Sequence, residues 1–176
     1  TAPEAARARI DLARLQHWVG ERGAALGTRQ ALSRQAPAAV PLATPLMLET
    51  AIAAGQAPEM QALLQAHYAQ APSLDVLEGI VALQALNPTD AATARQWYVR
   101  HLDKEQSLVA AAKWLAEEKL EHEEFHPQIQ RALDHAVKPL TRYRCAACGF
   151  EARQHFWQCP GCQTWDSYPA RRVEEL

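Results

Sequence analysis

The sequence predicts a mainly α protein: helical-hairpin repeats in tandem, then a small four-cysteine module with short β-hairpins. Three observations predict it. Short apolar-periodic segments punctuated by Gly and Pro fill the first 138 residues. "RQAP" at 34–37 returns as "AQAP" at 69–72, a spacing of 35 residues. All four cysteines fall between 145 and 162, in a stretch rich in aromatic residues.

Ile10, Leu12, Leu15 and Val19 fall on one helical face of the first segment, which Gly20 ends. A second helix is expected over 24–35. Thr44-Pro45 reads as an N-cap with proline at N1, opening a helix that stops near Gly55. Pro58 opens the next, with Met60, Leu63, Leu64 and Tyr68 as its apolar side. Ser73 and Thr89 read as N-caps of helices carrying Leu77, Ile80, Val81 and Leu83, and Trp97, Tyr98 and Leu102. A last apolar run extends from Ser107 to Leu120 with Leu108, Ala111, Ala112 and Leu115. Two helices per unit of about 34 residues is the mark of tetratricopeptide-like repeats. Such pairs stack and leave a concave face suited to binding protein. Trp18, Trp97 and Trp114 are expected between helix pairs, and His17, His67 and His101 at surfaces or edges. The composition changes near Val137-Lys138-Pro139. This gives a helical repeat region, 1–139, and a tetracysteine metal-binding domain with its tail, 140–176.

Charge narrows the function classes. Residues 1–139 carry 13 Lys/Arg and 16 Asp/Glu, and residues 140–176 five arginines and four acids. Neither balance suits a nucleic-acid surface. No apolar run approaches the ~20 residues of a membrane helix. The chain opens on Thr1 without an initiator methionine, so an upstream segment is expected.

"YRCAACGF" and "QCPGCQTW" set Cys145, Cys148, Cys159 and Cys162 in a C-x2-C-x10-C-x2-C pattern. Two-residue spacing lets both sulfurs of a pair point inward from one tight turn, where backbone N–H groups can donate to them. Two such knuckles supply four thiolates at the corners of a tetrahedron. A module of this size buries too little apolar surface to fold alone, and a structural metal contributes on the order of 10 kcal/mol. Sulfur-only ligation suits zinc or iron; zinc would be structural, iron rubredoxin-like and capable of one-electron transfer. Four protein ligands leave no open position for catalysis. Arg144 and Arg153 are placed to offset the thiolate charge, and the aromatic residues to pack around the knuckles. His155 reads as a surface residue between them.

"HEEFH" at 122–126 has the H-E-x-x-H form of zinc proteases. Pro127 follows at once and interrupts the helix that must carry both histidines. His126-Pro127 therefore ends one helix and starts another. Glu121, Glu123 and Glu124 read as a solvated face, with Phe125 turned inward, so neither histidine is expected to hold metal.

The C-terminal stretch, "YRCAACGF" followed by "HFWQCPGCQTWDSY" and arginines before a short tail, resembles the lipopolysaccharide assembly protein B family. "LAEEKL" upstream extends the likeness less specifically. The resemblance implies cytoplasmic tetratricopeptide repeats and a terminal rubredoxin-like domain, with Cys145, Cys148, Cys159 and Cys162 as the ligands of one zinc or iron ion. It implies a non-enzymatic adaptor on the cytoplasmic side of the bacterial inner membrane, anchored by an N-terminal helix with no counterpart in this sequence. Its implied partners are a membrane-bound AAA+ protease, the lipid A pathway deacetylase recruited for degradation, and an inner-membrane lipopolysaccharide sensor. Gln163 departs from the glycine that rubredoxins prefer after the last cysteine. The alternative is a redox- or iron-sensing protein whose four-cysteine centre modulates partner binding.

Overall fold

The structure, a computed structural model, describes residues 3–87, 91–118 and 123–176. It divides into two compact units, Thr1–Pro88 and Thr89–Leu176. The change of composition at 139/140 falls inside the second unit.

The first unit is built from α1 (Pro3–Trp18), α2 (Arg22–Gln35), a 3₁₀ turn (Pro37–Ala39), α3 (Val40–Ala53), α4 (Ala57–Gln70) and α5 (Leu74–Ala85). Each helix packs on the next, and α1 on α3 and α3 on α5 as well, so the helices form tandem hairpins. Helix α2 starts at 22 and α4 at 57, α3 at 40 and α5 at 74, spacings of 35 and 34. Pro58 lies in the first turn of α4, and the Ser73 side chain accepts from the Val76 N–H at 3.4 Å to cap α5. Met60, Leu64 and Tyr68 face the core with Leu77, Ile80 and Leu83. Gly79 lies where α5 crosses α3: a Cβ there would meet Thr44 Cγ2 at 2.5 Å. Arg29 is wholly buried and donates to the Leu46 carbonyl; burial lowers its pKa to about 10.

Three sequence expectations are corrected in this unit. Helix α1 turns Ala6, Ile10 and Ala13 inward, while Leu12, Leu15, Trp18 and Val19 are exposed. Alanines allow close approach to α2 and α3, so the inward face is set by small size rather than by the bulkiest apolar residues. Helix α3 opens at Val40, not after Thr44: Pro41 occupies its first turn and Pro45 lies within it. Thr44 is buried, and its hydroxyl donates to the Val40 carbonyl at 2.9 Å instead of capping.

The second unit begins with α6 (Ala91–Ala94), α7 (Gln96–Leu102) and α8 (Leu108–Ala116). Ser107 caps α8 by accepting from the Ala110 N–H at 2.9 Å. A 3₁₀ turn (Glu123–Phe125) leads to α9 (His126–Val137), with Pro127 in its first turn. Thr89, Leu120 and His122 lie outside the described residues. Phe125 is exposed, contrary to expectation. It closes the 3₁₀ turn and falls outside the half-buried stripe of α9, formed by His126, Gln130, Leu133 and Val137. His101 is buried rather than at an edge, in the last turn of α7 near Glu105 and Glu174.

The chain then forms β1 (Tyr143–Arg144) and β2 (Glu151–Ala152), an antiparallel pair with Tyr143 opposite Ala152 and Arg144 opposite Glu151. A second, minimal hairpin joins Gln158 to Trp165 by an isolated antiparallel bridge. A final 3₁₀ turn covers Val173–Glu175. No single helix among the described residues is long and apolar enough to cross a membrane.

Candidate metal centre

Each hairpin carries one cysteine pair on its turn. In the first, the Cys145 N–H donates to the Phe150 carbonyl (2.9 Å) and the Gly149 N–H to the Cys145 carbonyl (2.9 Å). In the second, the Cys159 N–H donates to Thr164 (2.9 Å) and the Gln163 N–H to the Cys159 carbonyl (2.8 Å). The two turns are near copies. The residue after each final cysteine takes a left-handed conformation: Gly149 at φ 78° and Gln163 at φ 62°. Gln163 thus fills, without glycine, the conformation for which glycine is preferred.

The turns bring all four sulfurs within 4.8 Å of one another. Cys145 Sγ lies 3.8 Å from Cys162 Sγ, and Cys148 Sγ lies 3.7 Å from Cys159 Sγ, each pair crossing from one knuckle to the other. A tetrahedron with metal–sulfur bonds of about 2.3 Å has edges of about 3.8 Å. A disulfide needs about 2.05 Å. The spacing therefore fits one zinc or iron ion and no disulfide. Cys145 and Cys159 are buried, whereas Cys148 and Cys162 lie on the solvent side.

Polar groups around the sulfurs favour thiolates unequally. The Ser167 hydroxyl, 3.2 Å from Cys145 Sγ, is the largest influence lowering that thiol to about 6, aided by the N–H groups of Cys148 and Ala147. The Phe150 N–H favours the Cys148 thiolate, but partial desolvation and the three neighbouring sulfurs outweigh it and push the thiol up to about 12. Cys162 is lowered by the Thr164 hydroxyl, 3.3 Å away, and by the Thr164 N–H. Sulfurs this close do not all ionise without a cation between them. Metal binding accordingly releases protons.

Tyr143, Phe156, Trp157 and Tyr168 form a ring cluster with His155, whereas Phe150 and Trp165 are exposed. His155 is half-buried among Tyr143, Trp157 and Tyr168, with ring centroids 5.7, 4.9 and 6.0 Å away, and its Nε2 donates to the Tyr168 carbonyl at 3.0 Å. It is thus a packing residue rather than the surface residue expected. Burial pushes its pKa below the usual histidine value. The Tyr168 hydroxyl donates to the Phe150 carbonyl at 3.1 Å, tying the end of the second hairpin to the first. Arg144 is committed elsewhere than expected: the strand register sets it against Glu151, 2.8 Å away, with Arg142 at 3.7 Å from the same carboxylate. Ser167 and Thr164 escaped the sequence reading, although Thr164 stands only two residues after Cys162. His126, from the H-E-x-x-H segment, donates through Nε2 to the Leu115 carbonyl at 3.0 Å. Among the described residues, the only His/Cys/Asp/Glu cluster with ligand spacing is the cysteine tetrad.

The sequence that carries this geometry is similar to known proteins. Residues 143–168 match the family model of the rubredoxin metal binding domain. Lipopolysaccharide assembly protein B of Escherichia coli strain K12 is 42% identical over 41 residues, covering 23% of this chain and 10% of that protein. The protein of the same name from Haemophilus influenzae is 31% identical over 39 residues, covering 22% of this chain and 10% of that protein. The matched stretch spans about a tenth of the length of these curated relatives. It bears out the resemblance read from "YRCAACGF" and "HFWQCPGCQTWDSY": through its four-cysteine domain, the chain is similar to the lipopolysaccharide assembly protein B family.

Proposed function

We propose that the chain is a non-enzymatic adaptor regulating lipopolysaccharide synthesis at the cytoplasmic side of the bacterial inner membrane. Its helical hairpins, read as tetratricopeptide-like, offer the protein-binding surface. Cys145, Cys148, Cys159 and Cys162 hold one structural zinc or iron ion. The adaptor brings the lipid A pathway deacetylase to a membrane-bound AAA+ protease, raising the effective concentration of substrate at the protease. An inner-membrane lipopolysaccharide sensor sets its activity. The observation that supports this reading is the four-sulfur geometry in a segment similar to lipopolysaccharide assembly protein B. Four protein ligands complete a tetrahedron and leave no position for a reacting water, which argues against hydrolysis at the centre. The test compares the intact membrane-bound protein with its Cys145→Ser variant in cells. The variant should lose metal and slow deacetylase turnover; unchanged turnover with metal lost would refute the adaptor role of the centre.

The exposure of Cys148 and Cys162 favours one second reading, a redox or iron sensor, because electron exchange needs sulfurs near solvent. A ferric tetrathiolate is red and a zinc centre colourless, so the absorption spectrum of the protein from its native host separates the two.

A further inference from the structure

The C-terminal tail makes a connection that neither the cysteine pattern nor the helical periodicity anticipates. Glu174 lies 67 residues from Ser107, yet its carboxylate accepts from the Ser107 hydroxyl at 2.7 Å. It also accepts from the N–H groups of Leu108 at 2.5 Å and Val109 at 3.1 Å. These are the first free donors of α8, where a negative charge is also favoured by the helix dipole. The Ser107 hydroxyl accepts from the Ala110 N–H, one turn further on. Without Glu174, the Leu108 and Val109 donors lose this partner.

The same tail is held by the approach to the first knuckle. The Val173 N–H donates to the Arg142 carbonyl at 2.7 Å and the Glu174 N–H to the Leu140 carbonyl at 3.2 Å. The Arg172 guanidinium donates to the Thr141 carbonyl at 2.5 Å and lies 4.7 Å over the Tyr143 ring. Tyr143 begins β1, two residues before Cys145, and its ring abuts His155 inside the aromatic cluster. At its other end the tail leaves from Tyr168, which the Phe150 carbonyl and His155 fix. Both supports of the tail thus belong to a module whose order depends on the metal.

We infer that residues 172–175 are a strap through which occupancy of the four-cysteine centre controls the order of the first turn of α8, with Glu174 as the positioning residue that transmits it. The inference rests on the metal reading above. A loaded centre holds β1 and Tyr143, Tyr143 and residues 140–142 hold the strap, and Glu174 holds the start of α8. Loss of the ion loosens the chain of contacts in that order. The α7–α8 hairpin, outside the four-cysteine segment, thereby becomes responsive to metal.

Hydrogen exchange of the full chain, read by mass spectrometry alongside metal stoichiometry, tests this. In the loaded protein, residues 107–110 should be protected. Removing the ion with a chelator should raise exchange about tenfold or more in 107–110 and 172–175 together with 143–168, a size expected from losing a charged hydrogen bond. Glu174→Ala should raise exchange at 107–110 while keeping one ion per chain and a protected 143–168; Glu174→Gln, which keeps an acceptor oxygen, should restore part of the protection. The strap is overturned if chelation frees 143–168 but leaves 107–110 protected, or if Glu174→Ala leaves 107–110 unchanged. A protein that binds no ion with 143–168 still protected defeats the metal reading, and with it control by occupancy. Loss of 107–110 protection in Glu174→Ala would then mark the capping contact as real but unregulated.

Discussion

Replacing Gln163 by glycine should tighten metal binding, and the matching change at Gly149 should weaken it. Both residues follow the last cysteine of a knuckle, and both have positive φ, 62° and 78°. A residue with a Cβ pays about 1–2 kcal/mol for the left-handed conformation. Glycine recovers that, less roughly 0.5–1 kcal/mol for the greater freedom it gives the unfolded chain. The net gain for Gln163→Gly is about 0.5–1 kcal/mol. The bonds at this position are made by the backbone: the Gln163 N–H donates to Cys159 and its carbonyl accepts from Gln158, so the substitution preserves both. Because folding of the module and metal binding are one process, the gain appears as an apparent affinity roughly two- to fivefold tighter. Gly149→Gln reverses the sign. A Cβ there meets nothing within 4 Å, so its cost is conformational alone and affinity should fall by a similar factor of roughly two to five. Competition of the zinc-loaded protein against a chromophoric chelator reads both variants on one scale. Equal affinities for the two variants, or weaker binding by Gln163→Gly, would refute the claim that the knuckles are equivalent turns differing only in backbone strain.

Three further outcomes are expected. Gly79→Ala should destabilise the first unit, because its methyl overlaps Thr44 Cγ2 at 2.5 Å and crowds Leu48 and Leu64 at 3.2 and 3.3 Å. The cost of overpacking, about 1–3 kcal/mol, exceeds the roughly 1 kcal/mol of helix propensity gained; Thr44→Ser, which removes the clashing methyl, should relieve most of it in a double-mutant cycle followed by thermal unfolding. Burial holds His101 below its ordinary pKa, with Glu105 and Glu174 opposing and Lys104 assisting. The unfolded chain therefore takes up the proton first, so this contribution to stability is complete above pH ~6.5 and declines as pH falls towards the lower folded value; urea titrations at pH 7 and 5.5 should show a larger loss for wild type than for His101→Gln. Alanine substitutions of His122 and His126 should leave the bound metal at one equivalent by elemental analysis, since His126 bonds to the Leu115 carbonyl; loss of an equivalent would restore H-E-x-x-H as a ligand pair.

The difference between what was legible in the sequence and what was not follows the range of the interaction. The metal centre was legible because its geometry is local: two residues between cysteines fix a turn, and two such turns set a tetrahedron whose observed edges are 3.7 and 3.8 Å. The cap at Ser73 was legible for the same reason, its bond spanning three residues. Hairpin spacing was legible because two Gln-Ala-Pro breaks lie 35 residues apart, whereas the inward face of α1 was not. Its leucines make the stronger apolar signal, but packing distance decides the face, and Ala6, Ile10 and Ala13 permit the closer approach to α2 and α3. Thr44-Pro45 has the composition of a helix start, but Pro41 supplies that start four residues earlier. The long-range polar contacts were illegible altogether. Ser167 lies 22 residues from Cys145 and Glu174 lies 65 to 67 from the turn it caps; no periodicity or spacing rule reaches so far. The Glu174 contacts tie the two legible parts of the second unit to each other. A chain in which the cysteine pattern and the helical repeat are both kept, but Glu174 is not, should retain both parts and lose their coupling.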